Sequence, residues 1–148
     1  MKEDKIMRYF SGVEDASQRM LRQVHQEIGK QNVGVTGSQY IVLKKLHENG
    51  RMTVSEVADN LGVSLSAVTA LVDRLCKADL ASRQRDDKDR RLVWLEITPM
   101  GKEKVKICDD SRRKVLGKYF SKLDEDDLSR LIEINEKLLQ FLKEEEQE

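Results

Sequence analysis

Five cations crowd into nine positions of this 148-residue chain: Arg83, Arg85, Lys88, Arg90 and Arg91, interleaved with Asp86, Asp87 and Asp89. Long cations on a short turn can reach phosphates, or drop into a minor groove where potential is most negative over narrow A·T tracts. Three carboxylates in the same turn oppose such binding on charge alone. A reason for them is orientation, with Asp89 placed to hold Arg91 or Arg83 in a bidentate pair. The competing reading is a solvated charged turn.

A second group lies upstream. Ser64, Ser66 and Thr69 offer hydroxyls beside the small Ala67 and Ala70, and Arg74 follows on the side away from the apolar stripe. Hydroxyls bond phosphates or base edges, and a helix N-terminus favours a phosphate. Small neighbours let such a helix come close. Ser64 is expected both to cap the helix and to face the ligand.

The remaining reactive residues are scattered. His25 and His47 stand alone, and Cys76 and Cys108 lie 32 positions apart without a C-x-x-C pair. There is no Gly-rich phosphate loop and no paired Cys/His motif. Catalytic residues, a metal site and a cofactor are therefore not expected, and the chain does not read as an enzyme. The cysteines read as small apolar residues in a reducing compartment.

Charge is balanced but segregated. The 27 Lys+Arg equal the 27 Asp+Glu, yet the first 121 residues carry +6 and the last 27 carry −6. An acidic tail thus masks a moderately basic body. The start, Met1 to Lys5, leads into no continuous apolar core of the kind a signal peptide needs. No stretch approaches the roughly 20 apolar residues needed to span a bilayer. The expected location is the cytoplasm, with no membrane partner.

Helices must position both groups. Ile6, Phe10, Val13, Met20, Val24 and Ile28 form a narrow stripe, predicting a helix over 6–28 that ends between Gly29 and Gly34. Thr36-Gly37-Ser38-Gln39 and Thr53-Val54-Ser55-Glu56 read as capping boxes, each opening a helix. Gly62 ends the second of these. Beyond Ser64, Val68, Leu71, Val72 and Leu75 face inward. Ala58, Gly62 and Val68 stand at offsets 0, 4 and 10: a small residue at a close crossing, a turn glycine and an anchor.

From Ala81 the period changes. Ser82-Arg83-Gln84-Arg85 can pair with the β-type run 92–97, with the charged segment as the tip. Thr98-Pro99 opens another helix, which carries Val105, Cys108, Val115, Leu116, Tyr119 and Phe120, with Arg112 facing the same way. Asp124 caps the last one. The fold class is mainly α with a small β-wing. A winged helix-turn-helix core spans 35–100 (helix-turn-helix about 54–77, wing about 81–98), flanked by helices over 1–34 and 101–148.

The run from Arg83 to Arg91, followed by Leu95-Glu96-Ile97-Thr98-Pro99-Met100-Gly101, resembles the wing signature of the MarR family of bacterial transcriptional regulators. That signature is an Arg, then Asp-x-Arg, then a strand closing in Thr-x-x-Gly. Val63 to Leu75 is similar to the family's recognition helix. The resemblance implies a homodimer built through the flanking helices, binding double-stranded DNA at a palindromic operator as a regulator, chiefly a repressor. It implies Arg91 first and Arg90 second for the minor groove, with Arg83 on phosphate.

It further implies release by a small aromatic or phenolic ligand, with His25, Tyr40 and Trp94 approaching the cleft. The family's peroxide branch uses a cysteine near the start, whereas the first here is Cys76. Its zinc branch uses His-x-x-x-His after the wing, where this chain has Cys108 and Arg112. The alternative function is a winged-helix module that binds protein and not DNA.

Overall fold

The computed structural model describes residues 2–147. The described residues form, in order, α1 (Lys2–Lys30), α2 (Gly37–Asn49), β1 (Met52–Thr53), α3 (Val54–Leu61), α4 (Leu65–Lys77), β2 (Ala81–Arg85), β3 (Val93–Ile97), α5 (Pro99–Phe120) and α6 (Glu125–Glu146). The middle of this order is a winged helix-turn-helix.

Local chemistry sets the helix starts. Both capping boxes close: the Thr36 and Thr53 hydroxyls accept from the N–H groups of Gln39 and Glu56 at 3.2 and 3.1 Å. The Gln39 and Glu56 side chains accept in return from the cap N–H groups. Ser64, Thr98 and Asp124 cap α4, α5 and α6, and such a cap typically contributes about 1 kcal/mol. Gly62 closes α3 in the left-handed region (φ 63), which a β-carbon would disfavour.

The first helix is longer than its apolar stripe predicts. It begins at Lys2, where Glu3 and Asp4 sit in the first turn and suit the positive end of the helix dipole. Gly29 lies inside its last turn, and the chain reverses through Asn32 and Gly34, both at positive φ.

Val42, Leu43, Leu46, Val57, Val68, Val72, Leu75 and Leu95 make the centre of the core, all essentially inaccessible. Ala58 is also buried, and its small side chain lets α3 and α4 pack closely. The sheet has the order β1-β3-β2, antiparallel throughout. The hairpin register places Arg83 opposite Leu95, Gln84 opposite Trp94 and Arg85 opposite Val93. Strand β1 is not visible in the sequence, since two residues carry no period.

Thr98 and Gly101 join the wing to α5. The Thr98 N–H donates to the Leu80 carbonyl at 3.1 Å and its hydroxyl to the Asp79 carbonyl at 2.6 Å. A Cβ on Gly101 would stand 2.1 Å from the Leu80 oxygen. The first turn of α5 therefore rests directly on the backbone between α4 and β2. This is a steric reason for glycine three residues after the threonine.

Beyond the core, α5 runs against α1. The Lys114 ammonium pairs with Glu27 at 2.7 Å, and the Tyr119 hydroxyl donates to the Gln23 side chain at 2.5 Å. None of the residues of α6 is buried. Among the described residues, no helix is long and apolar enough to cross a membrane.

Candidate nucleic-acid interface

The N-terminal turn of α4 is exposed. Its cap is the Ser64 hydroxyl, which accepts from the Ala67 N–H at 3.3 Å and lies 3.3 Å from the Ser66 hydroxyl. Thr69 is different. Its hydroxyl donates back to the Leu65 carbonyl at 2.8 Å, leaving its oxygen to accept and its methyl for contact. Arg74 is exposed further along α4, beside a groove lined in part by Thr36 and Ser38.

Of the two arginines expected for Asp89, it holds Arg91 and not Arg83. The Arg83 guanidinium is ion-paired with Asp73 on α4, not with Asp89. Asp89 does hold Arg91, but through one oxygen: Oδ1 accepts from the Arg91 backbone N–H at 3.1 Å and from Nε at 3.2 Å. The fork of two terminal guanidine nitrogens remains outside this contact. The Arg91 side chain is 92% exposed, and Lys88 and Arg90 are exposed beside it.

The tip is organised by Asp86. Its Oδ1 accepts from the backbone N–H groups of Lys88 and Asp89, at 2.8 and 3.1 Å. Its Oδ2 accepts from the Trp94 indole at 2.8 Å. The Trp94 hydrogen bond first, then those backbone donors, hold the Asp86 carboxyl down at about 2. Backbone bonds from Asp86 to Leu92 and from Leu92 to Asp89, both 3.0 Å, close the loop.

Trp94 is thus committed to the wing, which corrects its expected place in a ligand cleft. His25 and Tyr40 line a cavity of about 500 Å³ between α1, α2 and α5, together with Val24, Ile28, Cys108 and Arg112. His25 packs on the first turn of α2, where a Cβ on Gly37 would meet its Nε2 at 3.3 Å.

Tyr40 reaches past the cavity. Its hydroxyl donates to Asp109 on α5 at 2.5 Å, and Lys44 pairs with the other oxygen of the same carboxylate at 2.7 Å. The Arg112 guanidinium lies 6.0 Å from the Tyr40 ring centroid. Burial, then the Asp109 hydrogen bond, pushes the Tyr40 phenol up to about 12, so it remains a donor. Burial alone would raise Asp109, but the bonds from Lys44 and Tyr40 outweigh it and hold the carboxyl below its ordinary value. Sequence reasoning missed Asp109 and Lys44. The signal for Arg112, a cation on an apolar stripe, was present.

Burial pushes the thiols of Cys76 and Cys108 above their ordinary value, which disfavours the reactive thiolate.

Residues 35–93 match the model of the MarR family. The chain is 31% identical to the HTH-type transcriptional repressor MdtR of Bacillus subtilis (strain 168) over 147 residues, 98% of this chain and 93% of that protein. The fold is similar to a MarR family protein from Bacillus stearothermophilus, with TM-score 0.85 at 20% identity over 97% of this chain and 99% of that one. It is also similar to a mutant MarR from E. coli complexed with operator DNA, with TM-score 0.75 at 21% identity over 92% and 96% of the two chains.

Proposed function

Because this chain belongs to the MarR family of helix-turn-helix transcriptional regulators, we propose that it binds a palindromic DNA operator as a homodimeric repressor. In this reading α4 lies in a major groove, with Ser64, Ser66, Thr69 and Arg74 toward the duplex. The wing lowers Arg91 and Arg90 into the adjacent minor groove, with Lys88 on phosphate. The observation that carries it is the ion pair between Asp73 and Arg83, which ties an exposed recognition helix to a wing whose remaining cations point into solvent. The E. coli protein complexed with operator DNA supports the reading, since its fold is similar to this one.

Dimerisation is supported by apolar surface. Ile6, Phe10 and Val13 on α1, with Ile132, Leu138 and Leu142 on α6, are each more than half exposed. Apolar surface on that scale calls for a partner, and a second copy is the partner the family implies. A two-fold dimer would set its recognition helices about 34 Å apart, one helical turn of DNA.

The cavity between α1, α2 and α5 is the proposed effector site for a small aromatic or phenolic ligand. Its walls are mostly apolar, with His25, Asn32, Thr36, Tyr40 and Arg112 among the polar residues that line it. An occupant there would bear on Tyr40, which joins the winged core to α5 through Asp109.

DNase footprinting of the region upstream of the gene tests the reading, with and without a panel of hydroxybenzoates. The expected result is two protected half-sites about one helical turn apart, lost when an effective compound is added. Absence of any salt-sensitive binding at low ionic strength would instead favour a module that binds protein.

A further inference from the structure

Trp94 is the single tryptophan of the chain. It lies on β3, the central strand, opposite Thr53 of β1 on one side and Gln84 of β2 on the other. Two charged groups from separate parts of the chain meet its ring. The Arg51 guanidinium, just before β1, stands 4.3 Å from the ring centroid. The indole N–H donates to Asp86 at 2.8 Å, and that carboxylate also takes the N–H groups of Lys88 and Asp89. One carboxylate therefore fastens the wing tip to the middle of the sheet, and one guanidinium covers the ring that holds it.

We infer that Arg51, Trp94 and Asp86 form a clamp that sets the shape of the wing tip before any duplex arrives. Arg51 and Trp94 are positioning residues for Arg90 and Arg91. The clamp gives Asp86 a use that its charge alone does not suggest. A carboxylate beside phosphates weakens binding, but here it gathers three N–H donors into a turn. Arg51 offsets its charge from over the ring face, and a cation within about 6 Å of an indole face is held by the ring quadrupole. The arginines at the tip are then presented on an ordered loop, which lowers the entropy lost on binding.

The two substitutions that dissect the clamp leave the core alone. Trp94→Phe keeps an aromatic face for Arg51 and removes the N–H together with the five-membered ring that carries it. Arg51→Gln keeps the indole bond and removes the stacked charge. Amide hydrogen exchange on the free protein reads the clamp without DNA. In Trp94→Phe the peptide covering 86–92 should exchange about ten-fold faster, the scale of one lost hydrogen bond to a charged acceptor, while α4 and α5 keep their protection. Arg51→Gln should give a smaller rise at the same place.

The consequence for DNA rests on the proposed function and has its own readout. Hydroxyl-radical protection under the wing should fade in Trp94→Phe, while major-groove protection by α4 persists. Unchanged exchange at the tip in both variants would overturn the clamp. So would a rise spread evenly over the chain, which marks a general loss of stability. A loosened tip with unaltered operator protection would leave the clamp standing and refute the placement of the wing in the minor groove.

Discussion

Arg83 of the first wing strand is ion-paired with Asp73 of the recognition helix. The pair spans the two elements proposed to occupy adjacent grooves, so it fixes their separation. Both side chains are close to half exposed (40% and 47%), and an exposed pair contributes at most about 1 kcal/mol to stability. Asp73→Ala separates two explanations. It deletes a negative charge beside the DNA, which on electrostatics alone tightens binding. As a strut, Asp73 keeps the wing in register, and its loss should weaken operator binding about five-fold with little change in melting temperature. An affinity that rises in a quantitative gel-shift titration would dispose of the strut.

Arg91 and Arg90 should behave differently from Arg83. Arg91 is held at its base by Asp89 while its terminal nitrogens stay outside that contact. Arg91→Ala is expected to lower the slope of log affinity against log salt by about one per protomer, and Arg90→Ala by less. Arg83→Ala should leave the slope nearly unchanged, because its charge is already matched by Asp73. Salt titration of all three variants on one operator distinguishes phosphate neutralisation from scaffolding. Equal slopes for Arg83→Ala and Arg91→Ala would remove the distinction.

Arg83 and Arg91 also mark where the sequence stops being legible. The caps at Thr36, Thr53 and Ser64 and the turn at Gly62 depend on neighbours within four positions, and a linear reading finds them. The partner of Arg83 is ten positions away across a helix end, and a nearer carboxylate, Asp89, looks equally suitable. The partner of Tyr40 is 69 positions away, beyond any periodicity argument. Trp94 escapes a linear reading for a similar reason. An aromatic side chain on a half-buried strand suits a ligand cleft or a wing equally well until the direction of its N–H is known. His25 and Tyr40 fall together because α1 and α2 bring them to one cavity, which no spacing encodes.

Gly101 has a steric function that a substitution can expose. A Cβ there would lie 2.1 Å from the Leu80 oxygen and 2.7 Å from Ile97. Neither a backbone carbonyl nor a residue of the sheet can give way cheaply, so α5 must shift. Gly101→Ala is expected to cost on the order of 3 kcal/mol, at the upper end of overpacking, despite the better helix propensity of alanine. Gly117→Ala is the control, since it lies in the same helix with nothing within 4 Å. It should be neutral or stabilising by up to about 1 kcal/mol. Urea midpoints measured on both variants decide, and equal values would refute the close approach.

Tyr40 and Asp109 give the molecule a pH window. The folded-state pKa of Tyr40 is raised to about 12 from an ordinary value near 10, so the protonated phenol is favoured by folding. Its contribution is therefore complete below about pH 10 and is lost as pH rises toward 12. The Asp109 carboxyl is lowered, so its contribution is present above about pH 4 and is lost on acidification. Between these limits the phenol donates to a charged carboxylate, and the link from α2 to α5 is intact. Absorbance at 295 nm should show a tyrosinate step near pH 12 while the helical circular dichroism persists, and Tyr40→Phe should abolish that step. The same variant should lose about 1 kcal/mol of stability at neutral pH, the net value of a hydrogen bond. Its stability should also fall less steeply between about pH 10 and 12, because the group that carries the slope is gone. A late tyrosinate step that survives in Tyr40→Phe would assign it elsewhere and break the proposed link between the cavity and α5.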